Sequence, residues 1–281
     1  MPVISLHGAS VAVGTIYCIG KNYADHAEEM ARLENTRPES HSKENLQANA
    51  RPSVHAGAAA GEASEPMVFS KPASSLIYSG GRIEIPKLDG KKISEALHYE
   101  TELVVAIGKT AEYISPAESL GVVSGYAVGL DMTLRDRQSA AKRSGHPWLV
   151  SKGFRTSAVV SNFVGAEQVK DPHQLTLTLH KNGARVQHGC TRDMIFKIDV
   201  LIAYLSAVFG LCAGDLIYTG TPAGVGPVHR GDTLEATLTQ TIAAVSISNK
   251  VLDPALGNAS ANALPPDEHH EPLSTLTAFV A

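Results

Sequence analysis

The stretch "HYETEL", residues 98–103, places His98, Glu100 and Glu102 at alternate positions. In a β-strand such side chains leave the same face, so the two carboxylates lie ~7 Å apart with converging tips. The residues that follow, "LVVAIGK", have no polar interruption and predict a strand that is buried on both sides. A buried glutamate pair must be protonated, paired with a cation or bound to a metal, whereas an edge strand facing water would tolerate the pair without a partner.

A third carboxylate, Asp131, ends the predicted strand in "GYAVGLDMTLRD". A lone aspartate at that position is typical of a helix cap. Beside Glu100 and Glu102, it would complete a site of three carboxylates and leave about three of the six octahedral positions of a magnesium ion open for water or substrate. Ligation by oxygen alone favours magnesium, manganese or calcium over zinc.

The elements that must position these side chains follow from the hydrophobic pattern. "VAVGTIYCIG" predicts a strand, "KNYADHAEEMARL" a helix, and "TLTLHKNGARVQH" a hairpin that turns at Asn182 and Gly183. "KIDVLIAYLSAVFG" predicts a buried helix closed by Gly210, and "DLIYTGT", "DTLEATL" and "AAVSISN" predict further strands. Other strands are predicted at 83–86, 97–107 and 122–130, with a helix at about 133–144. This irregular order does not fit a Rossmann or barrel fold.

Two segments lack such a pattern. Residues 34–65 are rich in Ala, Ser, Glu and Asn and contain two prolines, which predicts a partly disordered loop insertion. Residues 254–281 begin with Gly, Asn, Pro and "DEHHEP", which predicts a peripheral C-terminal extension. Residues 1–253 are therefore expected to form a single catalytic domain.

Composition limits the class of protein. The chain of 281 residues is 43% hydrophobic, enough for a large core, and its net charge is only -4 without a run of basic residues. Nucleic acid and membrane surfaces are therefore not expected as partners. Three cysteines without CxxC spacing favour a reducing compartment, and the N-terminal residues do not resemble a secretory signal. We expect a cytoplasmic or mitochondrial protein that is not secreted.

Several motifs occur together in one order: "IGKNYADHAEEM", "FSKPASSLI", "LHYETELVVAIGK", "GYAVGLDMTLRDRQ", "PWLVSKGF" and "IYTGTPAGVGPV". In this combination the chain resembles the fumarylacetoacetate hydrolase superfamily, in its single-domain acylpyruvase and oxaloacetate decarboxylase branch. The resemblance implies an α+β, mainly β fold, a mixed β-roll with short peripheral helices, and a homodimer. It also implies Mg²⁺ or Mn²⁺ held by Glu100, Glu102 and Asp131, with His98 beside the ligands.

The resemblance also implies roles for residues outside the carboxylate set. The catalytic residues are His26, Glu29 and Lys152, and the substrate-binding residues are Arg135, Gln138 and Thr221. His26 and Glu29 share one helix face, so the carboxylate can orient an imidazole that removes a proton from water, and their segment is a lid over the substrate. Without the resemblance, these residues read as a surface His–Glu pair, a solvated lysine and a structural ion pair.

The chemistry implied is that of 2-oxo and 1,3-diketo acids. A 2-oxo acid can chelate a cation through its carboxylate and neighbouring carbonyl, which stabilises a developing enolate. We expect hydrolysis of acylpyruvates, such as acetylpyruvate or fumarylpyruvate, to pyruvate and a second acid. Oxaloacetate decarboxylation and oxaloacetate tautomerisation use the same enolate and stay open. A binding protein for 2-oxo acids is the non-enzymatic alternative, although it would not need a water-activating pair.

Overall fold

The computed structural model describes residues 1–35, 65–241 and 270–281. The predicted strand "AAVSISN" and nearly all of the predicted insertion at 34–65 lie outside these residues, so both stay predictions. None of the described helices is long and apolar enough to cross a membrane.

The described residues form short helices and many strands. The α-helices are α1 (Ala24–Asn35), α2 (Pro116–Ser119), α3 (Arg135–Ser144), α4 (Leu149–Lys152) and α5 (Ile198–Val208). The strands up to the middle of the chain are β1 (Val3–Leu6), β2 (Ala9–Ala12), β3 (Ile16–Gly20), β4 (Met67–Lys71), β5 (Leu76–Tyr78), β6 (Arg82–Ile83), β7 (Lys87–Leu88), β8 (Lys91–Lys92), β9 (Leu97–Tyr99), β10 (Thr101–Ile107) and β11 (Val123–Asp131). The later strands are β12 (Thr133–Leu134), β13 (Ala158–Val160), β14 (Val164–Gly165), β15 (Leu175–Lys181), β16 (Ala184–Cys190), β17 (Leu216–Tyr218), β18 (Gly226–Val228), β19 (Thr233–Thr241) and β20 (His270–Val280).

The strands form one large mixed sheet and several smaller ones. The large sheet has the order β4-β3-β17-β10-β11-β13-β5, and β14 adds to β11. Within it β17 runs parallel to β3 and β13 parallel to β5, whereas the other pairs are antiparallel. A second sheet has the order β16-β15-β19-β20-β6, and a three-stranded sheet has the order β12-β9-β18. The predicted class, mainly β with a mixed β-roll and short peripheral helices, is confirmed.

Strand β10 lies at the centre of the large sheet, and both of its faces are buried. Leu103 and Val105 belong to the larger apolar core, which also contains residues of the second sheet and of α5. Val104 and Ala106 belong to a smaller core on the opposite face. The unbroken apolar run "LVVAI" therefore forms the two-sided strand that its sequence predicts.

The predicted strand at 97–107 is interrupted at Glu100. Residues before the break form β9 in the three-stranded sheet, and residues after it form β10 in the large sheet. At this point the Glu100 carbonyl accepts a hydrogen bond from Asp131 N–H at 2.8 Å, and His98 pairs with Thr133 of β12. Glu100 therefore lies between β9 and β10, whereas Glu102 lies within β10, so the two residues do not belong to one regular strand.

The prediction of a peripheral extension at 254–281 is wrong for its last residues. Strand β20 pairs with β19 along its whole length and with β6 at its end. Leu276, Ala278 and Val280 alternate with more exposed residues and are buried in the larger core. The period of two in "LSTLTAFV" is the signal of a half-buried strand, which the polar residues before it concealed.

Candidate active site

Three carboxylates meet where β10 and β11 come together. Glu102 lies on β10 opposite Gly129 of β11, Asp131 ends β11, and Glu100 lies in the break before β10. One oxygen from each side chain lies within 4.8 Å of those of the other two, and all three residues are buried. The antiparallel register brings together residues that are about 30 positions apart in sequence.

Three cations surround one end of this cluster. Lys152 Nζ lies 2.6 Å from both Glu100 Oε2 and Asp131 Oδ2. Arg135 Nη2 lies 2.5 Å from Glu100 Oε1, and Lys71 Nζ lies 2.7 Å from Asp131 Oδ1. Helix α4 supplies Lys152 and the first turn of α3 supplies Arg135, so both short helices serve to bring a cation to the carboxylates.

These contacts shift the pKa values in opposite directions. Burial alone would raise the pKa of Glu100, but Lys152 and Arg135 lower it below its ordinary value. Burial raises the pKa of Glu102 well above its ordinary value, and the charges of Asp131 and Glu100 raise it further. For Lys152 burial would lower the pKa, but Asp131 and Glu100 raise it above its ordinary value. The shifts therefore favour the charged form of Lys152 and the protonated form of Glu102.

The carboxylate cluster fits a hard divalent cation. Within the described residues Glu102 has no cationic partner, and its Oε2 accepts only the Gly220 N–H at 2.8 Å. Asp131 Oδ1 is buried and accepts no well-directed hydrogen bond from the described residues, although Lys71 Nζ is near. Mg²⁺ and Mn²⁺ prefer such oxygen ligands. Glu100, Glu102 and Asp131 would hold the ion, as the sequence predicts.

Helix α1 places the predicted His–Glu pair beside the cluster. His26 Nδ1 lies 3.3 Å from Glu29 Oε2, and Gly224 N–H donates to both Glu29 carboxylate oxygens at 3.2 Å. The residues before the helix are fixed by Asn22, whose Nδ2 donates to the Thr219 carbonyl at 2.8 Å. Burial lowers the pKa of His26 despite the opposing charges of Glu100 and Glu29, so the imidazole is neutral near pH 7 and can accept a proton.

The segment "TGTPAGVG", residues 219–226, contacts both the carboxylate cluster and the His26–Glu29 pair. Gly220 donates to Glu102 and Gly224 donates to Glu29, as described above, and both glycines have positive φ, +98° and +100°. A Cβ on Gly220 would lie 2.7 Å from the Asn22 Cβ, and one on Gly224 would lie 2.3 Å from the Val186 carbonyl oxygen. The glycines allow this close packing of the backbone, and the segment presents Thr221 to a pocket that His26, Glu100 and Glu102 also line.

The remaining predicted residues border the same pocket. Gln138 accepts a hydrogen bond from Arg135 Nη1 at 2.6 Å and lines the pocket together with Thr221 and His26. Apolar side chains line the pocket as well, among them Phe69 and Trp148, whose ring centroids lie 5.9 Å apart. The structure therefore brings together all nine residues that the sequence assigned to the site.

Two further residues, Lys71 and His98, lie near the site. Lys71 was given no role, although it lies in the quoted motif "FSKPASSLI"; a lysine shortly after the apolar run "MVF" was the available signal. His98 is absent from the carboxylate cluster, as expected for a residue beside the ligands. Burial, followed by the charge of Arg135, lowers the pKa of His98 to about 4, so its imidazole is neutral.

Comparisons with known proteins give a family match and several relatives. The family model described as fumarylacetoacetate (FAA) hydrolase C-terminal matches residues 15–251. An oxaloacetate tautomerase FAHD1 of Arabidopsis thaliana mitochondria is 40% identical over 225 residues, which cover 80% of this chain and 86% of the relative. The oxaloacetate tautomerase YcgM of Escherichia coli is 38% identical over 226 residues, which cover 80% and 88%.

A solved structure extends the comparison. The fumarylpyruvate hydrolase of Pseudomonas aeruginosa, in complex with Mn²⁺ and pyruvate, is 32% identical and superimposes with a TM-score of 0.68, covering 84% of this chain and 91% of that one. The chain therefore belongs to the fumarylacetoacetate hydrolase family. Strand β20 lies beyond the part that the family model matches.

Proposed function

We propose that this protein is a divalent-metal-dependent enzyme that converts 2-oxo acids through an enolate, and that keto–enol tautomerisation of oxaloacetate is its main reaction. The observation that carries the proposal is the buried cluster of Glu100, Glu102 and Asp131 with the His26–Glu29 pair on the same pocket. The names of relatives at 38–40% identity favour oxaloacetate over acylpyruvates as substrate. A bound Mg²⁺ or Mn²⁺ would supply Lewis acidity toward the substrate carboxylate and 2-oxo group.

The chain's own residues supply the proton transfer. Glu29 accepts the hydrogen of His26 Nδ1, which leaves Nε2 as the basic nitrogen. Nε2 removes a proton from C3 of oxaloacetate, and the proton returns to the 2-oxo oxygen to give the enol. Lys152 contacts Glu100 and Asp131 as a cation, because both carboxylates raise its pKa above the ordinary value despite its burial. Gln138 and Thr221 are placed to bind substrate oxygens.

Hydrolysis of acylpyruvates is the second candidate, and the same His–Glu pair favours it. His26 would take a proton from water, the hydroxide would add to the acyl carbonyl, and the carbon–carbon bond would break to give the acid and the pyruvate enolate, which then takes up a proton. The fumarylpyruvate hydrolase of similar fold supports this reading. Oxaloacetate decarboxylation, the activity named for a relative in Dictyostelium discoideum at 39% identity, would need the enolate but no activated water.

The assembly and location are part of the same proposal. A homodimer is expected from the family resemblance, and the choice between Mg²⁺ and Mn²⁺ stays open. The curated relatives from plants, mammals and Dictyostelium carry "mitochondrial" in their names, which supports a mitochondrial or cytoplasmic location for this chain.

Steady-state rates of wild type and His26→Ala test the proposal. The assays are loss of the oxaloacetate enol, decarboxylation of oxaloacetate and cleavage of acetylpyruvate, each with Mg²⁺ and with a chelator. Loss of the base should lower tautomerisation and hydrolysis ~10²- to 10⁴-fold, and decarboxylation less. Glu28→Ala is the matched control, since Glu28 lies on the same helix and its carboxylate forms an exposed ion pair with Arg32 at 3.2 Å. Near wild-type tautomerisation and hydrolysis by His26→Ala would show that the base lies elsewhere.

A further inference from the structure

The side chain of Gln187 joins three parts of the molecule next to the site. Gln187 lies on β16 of the second sheet and is 2% exposed. Its Oε1 accepts the Thr101 N–H at 2.9 Å, and its Nε2 donates to Thr221 Oγ1 at 2.8 Å and to the Pro222 carbonyl at 2.9 Å. The sequence motifs give this residue no role.

These partners fix the orientation of the amide. The Thr101 backbone N–H can only donate, and the Pro222 carbonyl can only accept. A flipped amide would set donor against donor and acceptor against acceptor, so only one orientation satisfies both backbone groups. The amino group of Gln187 therefore always faces the Thr221 hydroxyl oxygen.

The direction of this hydrogen bond decides what the Thr221 hydroxyl can do. Because its oxygen accepts from Gln187, its single hydrogen must be donated elsewhere. No described residue accepts that hydrogen through a hydrogen bond with Thr221 Oγ1, and Thr221 lines the pocket that also contains His26, Glu100 and Glu102. A hydroxyl with a free hydrogen at this position is a donor to a bound ligand.

The backbone around Thr221 is held by close packing against β16. A Cβ on Gly189 would lie 2.5 Å from the Pro222 Cβ, and one on Gly224 would lie 2.3 Å from the Val186 carbonyl oxygen. The loop and the strand therefore touch on both sides of Gln187. The backbone on both sides of Thr221 is therefore held close to the amide that orients its hydroxyl.

We infer that Gln187 is a positioning residue that makes the Thr221 hydroxyl an obligatory hydrogen-bond donor to an anionic oxygen of the substrate. The inference rests on the proposed function, since it takes a 2-oxo acid as the ligand. It adds a link between the second sheet and substrate recognition, because the same amide holds the backbone of Thr101 between Glu100 and Glu102. The chemical class selected is a carboxylate or enolate oxygen, which accepts hydrogen bonds and donates none.

The test uses Gln187→Glu, Thr221→Val and the double variant, in full-length protein loaded with Mg²⁺. The probe is pyruvate, a 2-oxo acid without a leaving group, titrated calorimetrically. Gln187→Glu keeps an acceptor for the Thr101 N–H but has at most one hydrogen in place of two, so the Pro222 carbonyl and the Thr221 hydroxyl oxygen can no longer both accept from it, and we expect pyruvate binding about tenfold weaker than in wild type. Thr221→Val should lose a similar factor, and Thr221→Ser should bind as wild type does.

The double variant separates positioning from a general structural role. If Gln187 acts through the hydroxyl, Gln187→Glu should weaken binding little further in the Thr221→Val background. For oxaloacetate, Gln187→Glu should raise KM more than it lowers kcat. Thermal stabilisation by Mg²⁺ alone should stay at the wild-type level, which checks that the carboxylate cluster is intact.

Three outcomes would overturn the inference: wild-type pyruvate affinity in Gln187→Glu, additive losses in the double variant, or absence of pyruvate binding by the wild type. Failure of the wild type to turn over oxaloacetate or acetylpyruvate would count against the proposed function alone, because the pyruvate titration does not require turnover.

Discussion

Glu100 and Glu102 are two positions apart and belong to one carboxylate cluster, yet their surroundings are opposite. Glu100 contacts two fixed cations, Lys152 at 2.6 Å and Arg135 at 2.5 Å. Glu102 accepts a neutral backbone N–H from Gly220 at 2.8 Å and has no ion pair within the described residues. The pKa of Glu100 is accordingly lowered and that of Glu102 raised.

The difference shows that the buried carboxylates of this cluster are compensated in two ways. Buried side-chain cations pair with Glu100 and Asp131, since Lys152 contacts both carboxylates and Lys71 contacts Asp131. The Glu102 carboxyl has no such partner and needs either a proton or an added cation, since one hydrogen bond from a neutral group does not offset the desolvation of a charge. Metal binding at Glu102 is therefore an exchange of a proton for the ion.

Replacing either glutamate by glutamine tests the feature that they share. Glu100→Gln and Glu102→Gln should each lower kcat/KM at least about a thousandfold, equivalent to ~4 kcal/mol of transition-state stabilisation, because one anionic metal ligand is lost. Each should also remove most of the thermal stabilisation by Mg²⁺. Melting curves with and without Mg²⁺ check this, and unchanged Mg²⁺ stabilisation in both variants would refute the ligand assignment.

Lys71→Met tests how much stability comes from Lys71, the most buried of the three cations that contact Glu100 and Asp131. The side chain of Lys71 is fully buried, and its Nζ also contacts the Lys152 carbonyl. Removing one partner of a buried ion pair costs ~3 to 5 kcal/mol, and we expect a loss of this size in the free energy of unfolding. Lys92→Met, on an exposed strand, is the control and should be neutral. A loss below about 1 kcal/mol would mean that Lys152 alone neutralises Asp131.

Without metal, the two glutamine variants should differ in the sign of their effect on stability. Glu100→Gln leaves Lys152 and Arg135 with less negative charge and should destabilise the protein by ~2 kcal/mol. Glu102→Gln removes a buried carboxyl that has no cation, and should be neutral or stabilising by up to ~1 kcal/mol. Urea unfolding with a chelator measures both. Equal destabilisation by the two changes would contradict the contrast in their surroundings.

The stability of the metal-free protein should depend on pH in opposite ways through Glu100 and Glu102. The folded protein holds a proton on Glu102 that the unfolded chain loses near 4.5, so stability falls as pH rises from there toward the raised pKa. Glu100 contributes stability that is complete above 4.5 and is lost as pH falls toward its lowered pKa. Each proton contributes at most ~1.4 kcal/mol per pH unit. Urea unfolding measured across pH should show that the stability of Glu102→Gln no longer falls as pH rises above 4.5, whereas that of Glu100→Gln still does.

Much of the fold follows from local sequence patterns. The hairpin at Asn182 and Gly183, the helix that precedes Gly210 and the buried strand β10 occur where the sequence predicts them. The break at Glu100 was not predictable, because a switch between two sheets leaves the alternation of side chains unchanged. Strand β20 was missed because polar residues before it concealed its period of two, and its pairing with β19 spans an intervening segment, so local sequence does not show the partner.

The sequence by itself determined which groups carry the chemistry. Glu100, Glu102 and Asp131 could be identified because carboxylates beside unbroken apolar strands need a counter-charge, and the family motifs assigned His26 and Glu29. The tertiary structure alone decided how each charge is compensated and how each hydroxyl is oriented. Lys71, Lys152 and Gln187 come from separate elements, and their effects on these carboxylates and on Thr221 depend on distances of 2.6 to 2.9 Å that only the packed sheets fix. Electrostatic and hydrogen-bond energies fall steeply with distance and angle, so residue type and spacing in sequence do not determine them.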